Sequence, residues 1–239
     1  MGGWLAWGFA MQLSFPLDND PLLPKVRARL RAGAGPRRDE PRRDPVSQLV
    51  RSMLGSKTRD EVSIRAFEQL RSRYPSWDAL RQAAPQRIER AIWMVNHAAR
   101  KAEQLPQALR MIVARSGSLA LDFLADLEEE VAMRWLGDLP GVGPKIAASV
   151  LNFSTLRKRE LVVDTHLLRV GERLGLLPAK PDYEAGHDGL MRLVPEGWTA
   201  DELYELHRLI KSLGQTVCTV QAPACSRCPL QDLCPRRGC

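Results

Sequence analysis

The sequence predicts an all-helical protein, and three observations predict it. Apolar residues recur at three- and four-residue intervals through most of the chain. Prolines punctuate the pattern where helices would start or stop, as at Pro45, Pro75, Pro85 and Pro144. Strand signal is nearly absent, because the β-branched run at 161–163 is too brief to found a sheet.

The first clear helix covers 45–54, with Val46, Leu49, Val50, Met53 and Leu54 on one face. A second, over 60–74, presents Val62, Ile64, Phe67 and Leu70 and is stopped by Pro75. Further helices are expected at 77–82, 85–94, 101–115, 119–126 and 128–136. One follows Pro144, one follows Asp164 and one covers 200–213. Segment 33–44, rich in proline, glycine and arginine, reads as a solvated linker, with phosphate contact as its other use. Trp77, Trp93, Trp135 and Trp198 sit in or beside helices, where core packing is expected over base stacking.

At 239 residues the chain can form one large or two small domains around a sizeable core. Lysine and arginine number 35 against 28 acidic residues, a net charge of +7. That balance suits a polyanionic partner better than an acidic protein surface, the plainer reading being a basic soluble enzyme. The apolar run from Trp4 to Phe15 has no basic residue before it and no clean cleavage site after it. It makes neither a signal peptide nor a bilayer span. Ala6 breaks a myristoylation pattern, and Met11 is an alternative start to Met1. The chain reads as cytoplasmic, where thiols stay reduced.

Four of the five cysteines, Cys218, Cys225, Cys228 and Cys234, lie within seventeen residues, spaced by six, two and five. A disulfide framework would spread its cysteines along a secreted chain. Four crowded thiolates ask for a metal, and both zinc and an iron–sulfur cluster accept four. One tight pair flanked by longer arms favours the cluster over a zinc ribbon with two short knuckles. Cys239, the last residue, reads as a free thiol.

The second informative segment is Leu139-Pro140-Gly141-Val142-Gly143-Pro144-Lys145, between two amphipathic helices. Pro144 suits a first helical turn, and Gly141 and Gly143 let a ligand approach the main chain. Amide groups at such a helix start bind an anion, and a DNA phosphate is the natural one for a basic protein. An ordinary tight turn is the plain alternative. Lys145 opposes the helix dipole, which lowers its pKa and frees the amine as a nucleophile; contact with phosphate is the competing use. Asp164 stands at an N-cap, and capping alone accounts for it. The chain between Lys145 and Asp164 nevertheless leaves room for one helix and a return, so the carboxylate can come back beside the amine. His166 reads as a first-turn helix residue.

The hairpin, the segment Val163-Asp164-Thr165-His166 and the cysteine tail together resemble the endonuclease III family of helix-hairpin-helix DNA glycosylases. The resemblance runs from about Pro45 to Cys234. It implies a two-domain, all-helical fold: a six-helix barrel over 41–155, and an iron–sulfur domain built from 1–40 and 156–239. It implies a [4Fe–4S] cluster on Cys218, Cys225, Cys228 and Cys234, with a structural and DNA-contacting role. It implies Lys145 as nucleophile and Asp164 as the essential carboxylate. Gly141, Val142 and Gly143 would meet the DNA backbone. The expected activity is that of a bifunctional glycosylase and AP lyase on oxidised pyrimidines and abasic sites in double-stranded DNA, acting as a monomer.

Two loops depart from the family. Lys57 stands where a glutamine is usual and Arg59 where a threonine is common, so contact with the orphaned base should change. The second loop lacks a leucine-tyrosine pattern, and His97 is its nearest candidate wedge. The competing readings are a monofunctional adenine- or thymine-specific mismatch glycosylase, a non-catalytic lesion sensor on the same scaffold, and a helical zinc protein with no DNA role.

Overall fold

A computed structural model describes residues 22–35 and 41–238. The apolar run at 4–15, both candidate starts and Cys239 lie outside them. The described residues are helical, with one isolated bridge between Arg43 and Ser154 and no strand.

Eleven α-helices occur among the described residues: α1 (Leu22–Gly33), α2 (Pro45–Gly55), α3 (Asp60–Arg73), α4 (Trp77–Gln82), α5 (Pro85–Ala91), α6 (Ala98–Ser116), α7 (Glu129–Gly137), α8 (Pro144–Phe153), α9 (Thr165–Arg173), α10 (Tyr183–Leu193) and α11 (Ala200–Thr216). Local chemistry fixes their starts. Asp44 accepts the Ser47 N–H at 2.8 Å and Pro45 opens α2, so α2 begins with its donors satisfied. Thr199 and Glu202 close a capping box on α11. Gly117, at φ 77°, ends α6 in the left-handed conformation.

Two apolar cores result. One gathers side chains from α2 to α8, among them Leu49, Leu54, Leu70, Ile88, Leu105 and Val150. The other gathers α1, segment 161–163, α9, α10 and α11, with Leu23, Val26, Leu167, Leu190, Leu206 and Leu230. Polar contacts stitch them together. Asn152 Nδ2 donates to Ala200 O at 2.9 Å, Lys211 pairs with Asp60 at 2.7 Å, and Arg42 pairs with Asp201.

The structure corrects several expectations. Helices α1 and α10 were not foreseen. In α10, Gly186 and Gly189 lower helix propensity, yet a Cβ there would meet Leu168 Cδ2 at 2.1 Å and Leu177 Cδ2 at 2.7 Å. Those glycines let neighbouring leucines sit against the helix. The helix expected over 119–126 is a 3-10 turn at Asp122–Asp126, and the one expected over 85–94 stops at Ala91. Ile64 is exposed, and Ser63 and Ala66 are buried in its place. Trp93 is also exposed, against the expectation of core packing, whereas Trp77 packs on Phe67 and Trp135 on Phe123. The linker is anchored at its far end, where the Arg42 guanidinium lies 4.9 Å over the Tyr204 ring.

Candidate active site and iron–sulfur centre

A cleft of about 660 Å³ opens between the two cores. The α2–α3 loop, the start of α8, the start of α9 and the end of α11 form its walls. Lys145 and Asp164 both line it, with Asp60, His166, Lys211 and Gln215 around them. The amine and carboxylate singled out by sequence therefore face one space.

Each arrives there for a local reason. Gly141 turns the hairpin at φ 79°, and the Val142 N–H returns to Leu139 O at 3.0 Å. Gly143 differs from expectation. Its φ of −100° is open to any residue, and nothing lies within 4 Å of where its Cβ would be, so it leaves free room beside the chain. Pro144 then starts α8 and puts Lys145 in the first turn. Asp164 caps α9 as expected, its Oδ1 accepting the His166 and Leu167 N–H groups at 2.8 and 3.0 Å. Segment 161–163 runs buried into that cap, which explains its β-branched character without a sheet.

Electrostatics favour a reactive pair. Lys145 keeps an exposed surface, yet the protein around it removes enough water to lower its pKa. Asp164 and Asp60 oppose that shift, while Lys211 and Arg51 add to it. Burial would raise the Asp164 carboxyl, but His207, the Leu167 N–H, Lys145 and His166 hold it below its ordinary value. His166 is lowered, first by burial, and its Nδ1 lies 3.1 Å from Arg169 Nη2. It sits in the first turn of α9, as expected, but also lines the cleft.

Sequence reasoning missed three residues here. His207, on α11, is buried, lies 2.6 Å from Val162 O through Nδ1, and is lowered by desolvation. Lys211 and Gln215 reach Asp60 at 2.9 and 3.2 Å. The available signal was a polar residue on the apolar stripe of α11, beside Leu206 and Ile210.

Lys57 and His97 come together on the other side of the α2–α3 loop. Both line a second cavity of about 510 Å³, with Arg100, Gln104, Gly141 and Gly143. Both have positive φ, 52° and 58°. Their loops are tied as one unit: the Asn96 side chain donates to Lys57 O, and the Asn96 N–H to Thr58 Oγ1 at 3.2 Å. Beneath them, buried Lys101 donates to Leu54 O, Ser56 O and Thr58 Oγ1 at 2.7, 2.7 and 3.1 Å. Burial lowers its amine to about 8, while the three oxygens favour the charged form.

Beyond the end of α11, Cys218, Cys225, Cys228 and Cys234 converge on one cavity. The Cys228 thiol is raised by burial and by the three other sulfurs. Arg173 Nη1 donates to Cys218 Sγ at 3.3 Å, and the Arg236 N–H to Cys234 Sγ at 3.4 Å. Four cysteines lining one cavity, with donors aimed at two of the sulfurs, suit the anionic charge of a tetrathiolate cluster.

Fold and sequence together define a helix-hairpin-helix repair protein: residues 50–196 match the family model of the HhH-GPD superfamily base excision DNA repair protein. Residues 218–234 match the iron-sulfur binding domain of endonuclease III. The chain belongs to the endonuclease III family of DNA glycosylases and carries a [4Fe–4S] cluster. It is 33% identical to endonuclease III of Synechocystis over 80% of this chain and 81% of that protein. It is 32% identical to a putative DNA glycosylase of Arabidopsis thaliana over 70% of this chain, spanning 55% of that longer protein. A thymine-DNA glycosylase of Aeropyrum pernix is 29% identical over 80% of this chain and 82% of that protein. The fold matches a solved endonuclease III–DNA covalent intermediate with a TM-score of 0.72, at 21% identity, covering 90% of this chain and 93% of that one.

Proposed function

We propose that the protein is a bifunctional DNA glycosylase and AP lyase that excises oxidised pyrimidines and cuts abasic sites. The observation that carries this reading is the shared cleft, where a solvent-reachable amine of lowered pKa and a carboxylate held in its charged form stand together. A base inside the stack offers no path to C1′, so the nucleotide rotates out into the cleft. The neutral Lys145 Nζ lone pair attacks C1′, the glycosidic C–N bond breaks, and the base leaves with its electron pair. Asp164 stabilises the positive charge that grows on the sugar and takes the proton the lysine nitrogen sheds. Ring opening gives the imine; loss of a C2′ proton then breaks the C3′–O bond and releases the 3′ strand.

Gly141, Val142 and Gly143 hold a phosphate of the lesion strand, with Gly143 leaving room for its approach. The cluster, on its four cysteines, pins the chain that follows α11 and takes no part in bond breaking. We read the two cores as two domains divided near residue 155, α1 joining the second, in a monomer that works in the cytoplasm.

Borohydride trapping on abasic DNA tests the proposal. Cluster-replete protein should become covalently linked, and Lys145→Ala should not. Tight binding with neither trapping nor cleavage would instead assign the scaffold to lesion sensing. Excision without trapping would assign it to monofunctional mismatch repair.

A further inference from the structure

Two pieces of chain must keep one distance for this chemistry: α8, which carries Lys145, and the buried run 161–163, which ends in Asp164. One side chain touches both. His207 of α11 lies 2.6 Å from Val162 O through Nδ1, and its ring meets the Phe153 ring at 5.0 Å, tilted by 61°. Val162 stands two residues before Asp164. Phe153 stands two helical turns beyond Lys145, on the same face of α8. Tyr204, one turn before His207, also packs on Phe153, at 4.9 Å. His207 is 5% exposed, so the contact with Val162 O is made away from water, where an unmade bond is costly. Val162 O can only accept, so Nδ1 carries the hydrogen. The ring stands close enough to Asp164 and Lys145 to feel both charges, yet it does not line the cleft. It therefore acts on the pair from behind.

We propose that His207 is a positioning residue for the reaction: by holding Val162 O and Phe153 at once, it fixes the separation of the Asp164 carboxylate from the Lys145 amine. The Asp164 cap secures the carboxylate to α9, but nothing in the cap ties α9 to α8. His207 supplies that tie. Without its donor, Val162 O is left buried and unpaired, and the main chain that leads into Asp164 loses its hold on α11. A displacement of about 1 Å between reacting groups costs about 10²-fold in rate. The inference rests on the glycosylase and lyase reading given above and deepens it.

The test is single-turnover cleavage of an abasic duplex by the full cluster-loaded protein, with affinity for a tetrahydrofuran-containing duplex measured beside it. His207→Phe keeps a ring against Phe153 and removes the donor. It should cleave about tenfold to a hundredfold more slowly while its affinity stays that of wild type. His207→Asn puts an amide nitrogen where Nδ1 stood and should recover most of the rate. In an Asp164→Asn background His207→Phe should slow cleavage little further, because the carboxylate it positions is already gone. Should His207→Phe fail to keep its iron, His207→Leu against His207→Asn makes the same comparison. A wild-type rate in the donorless variant overturns the inference. So does a His207→Asn protein as slow as the donorless one, or a loss that simply multiplies with that of Asp164→Asn, because either marks general loosening. These results leave the glycosylase reading standing. Wild-type protein that neither cleaves abasic DNA nor is trapped on it by borohydride overturns both.

Discussion

Asp164 does two things at once, and substitution separates them. As a cap it satisfies two amide groups at the start of α9; as a charge it stands in the cleft with Lys145. Asp164→Ala removes both roles. Losing the cap costs about 1 kcal/mol, which lowers Tm by about 2–4 °C for a chain of this size. Asp164→Asn keeps an acceptor oxygen toward the His166 and Leu167 N–H groups, so its Tm should stay close to wild type. Its turnover should still fall by about 10²–10⁴-fold, the range for losing a positioned acid–base group. The residual rate carries a second signature. The carboxylate raises the Lys145 pKa, so removing it leaves the amine neutral at lower pH. The acid limb of the single-turnover rate should then move down in pH. Thermal denaturation paired with cleavage of an abasic duplex reads all three effects. Wild-type turnover in Asp164→Asn would reduce the residue to a cap and refute the chemical role.

The remaining predictions concern the loops, the hairpin and the cluster. Lys101→Met strands three oxygens beneath the Lys57 loop and should destabilise by about 2–4 kcal/mol, measured by denaturant unfolding, with weaker binding to abasic DNA. Gly141→Ala must hold alanine at φ 79°, a strain of about 1–2 kcal/mol. Gly143→Ala meets nothing in the free protein, so it should melt like wild type and lose DNA affinity only, by crowding the phosphate. Cys228→Ser should lose iron, read by metal analysis. The far-ultraviolet signal should change little, because the segment between Cys218 and Cys234 holds only a 3-10 turn at Cys225–Arg227.

What was legible in the sequence was whatever one chain segment decides alone. The α2 stripe, the Pro144 start, the Asp164 cap and the four-cysteine spacing are local, and each stands where it was expected. Elements that neighbours decide were not legible. The α10 glycines weaken a helix that Leu168 and Leu177 nonetheless pack against, so propensity hid it. Burial of Ser63 in place of Ile64 is set by Arg51, whose guanidinium meets the serine hydroxyl at 3.0 Å. The Lys211–Asp60 pair joins residues 151 apart in sequence, and no short-range pattern announces it.

That pair also decides a question about Lys145. Two carboxylates, Asp164 and Asp60, raise its pKa, and two cations, Lys211 and Arg51, lower it. With opposing charges set against one another, desolvation is left as the leading influence and the amine shifts down. Pairing Lys211 with Asp60 at 2.7 Å keeps either from acting on Lys145 alone. Breaking the pair from opposite ends must therefore give opposite results. Asp60→Asn removes a carboxylate and frees a cation, both of which push Lys145 lower, so the acid limb of cleavage should move to lower pH. Lys211→Met removes a cation and frees a carboxylate, so the limb should move to higher pH. Single-turnover rates at saturating protein separate these shifts from any change in affinity. Two limbs moving the same way, or neither moving, would mean that the ionisation seen in the rate is not that of Lys145.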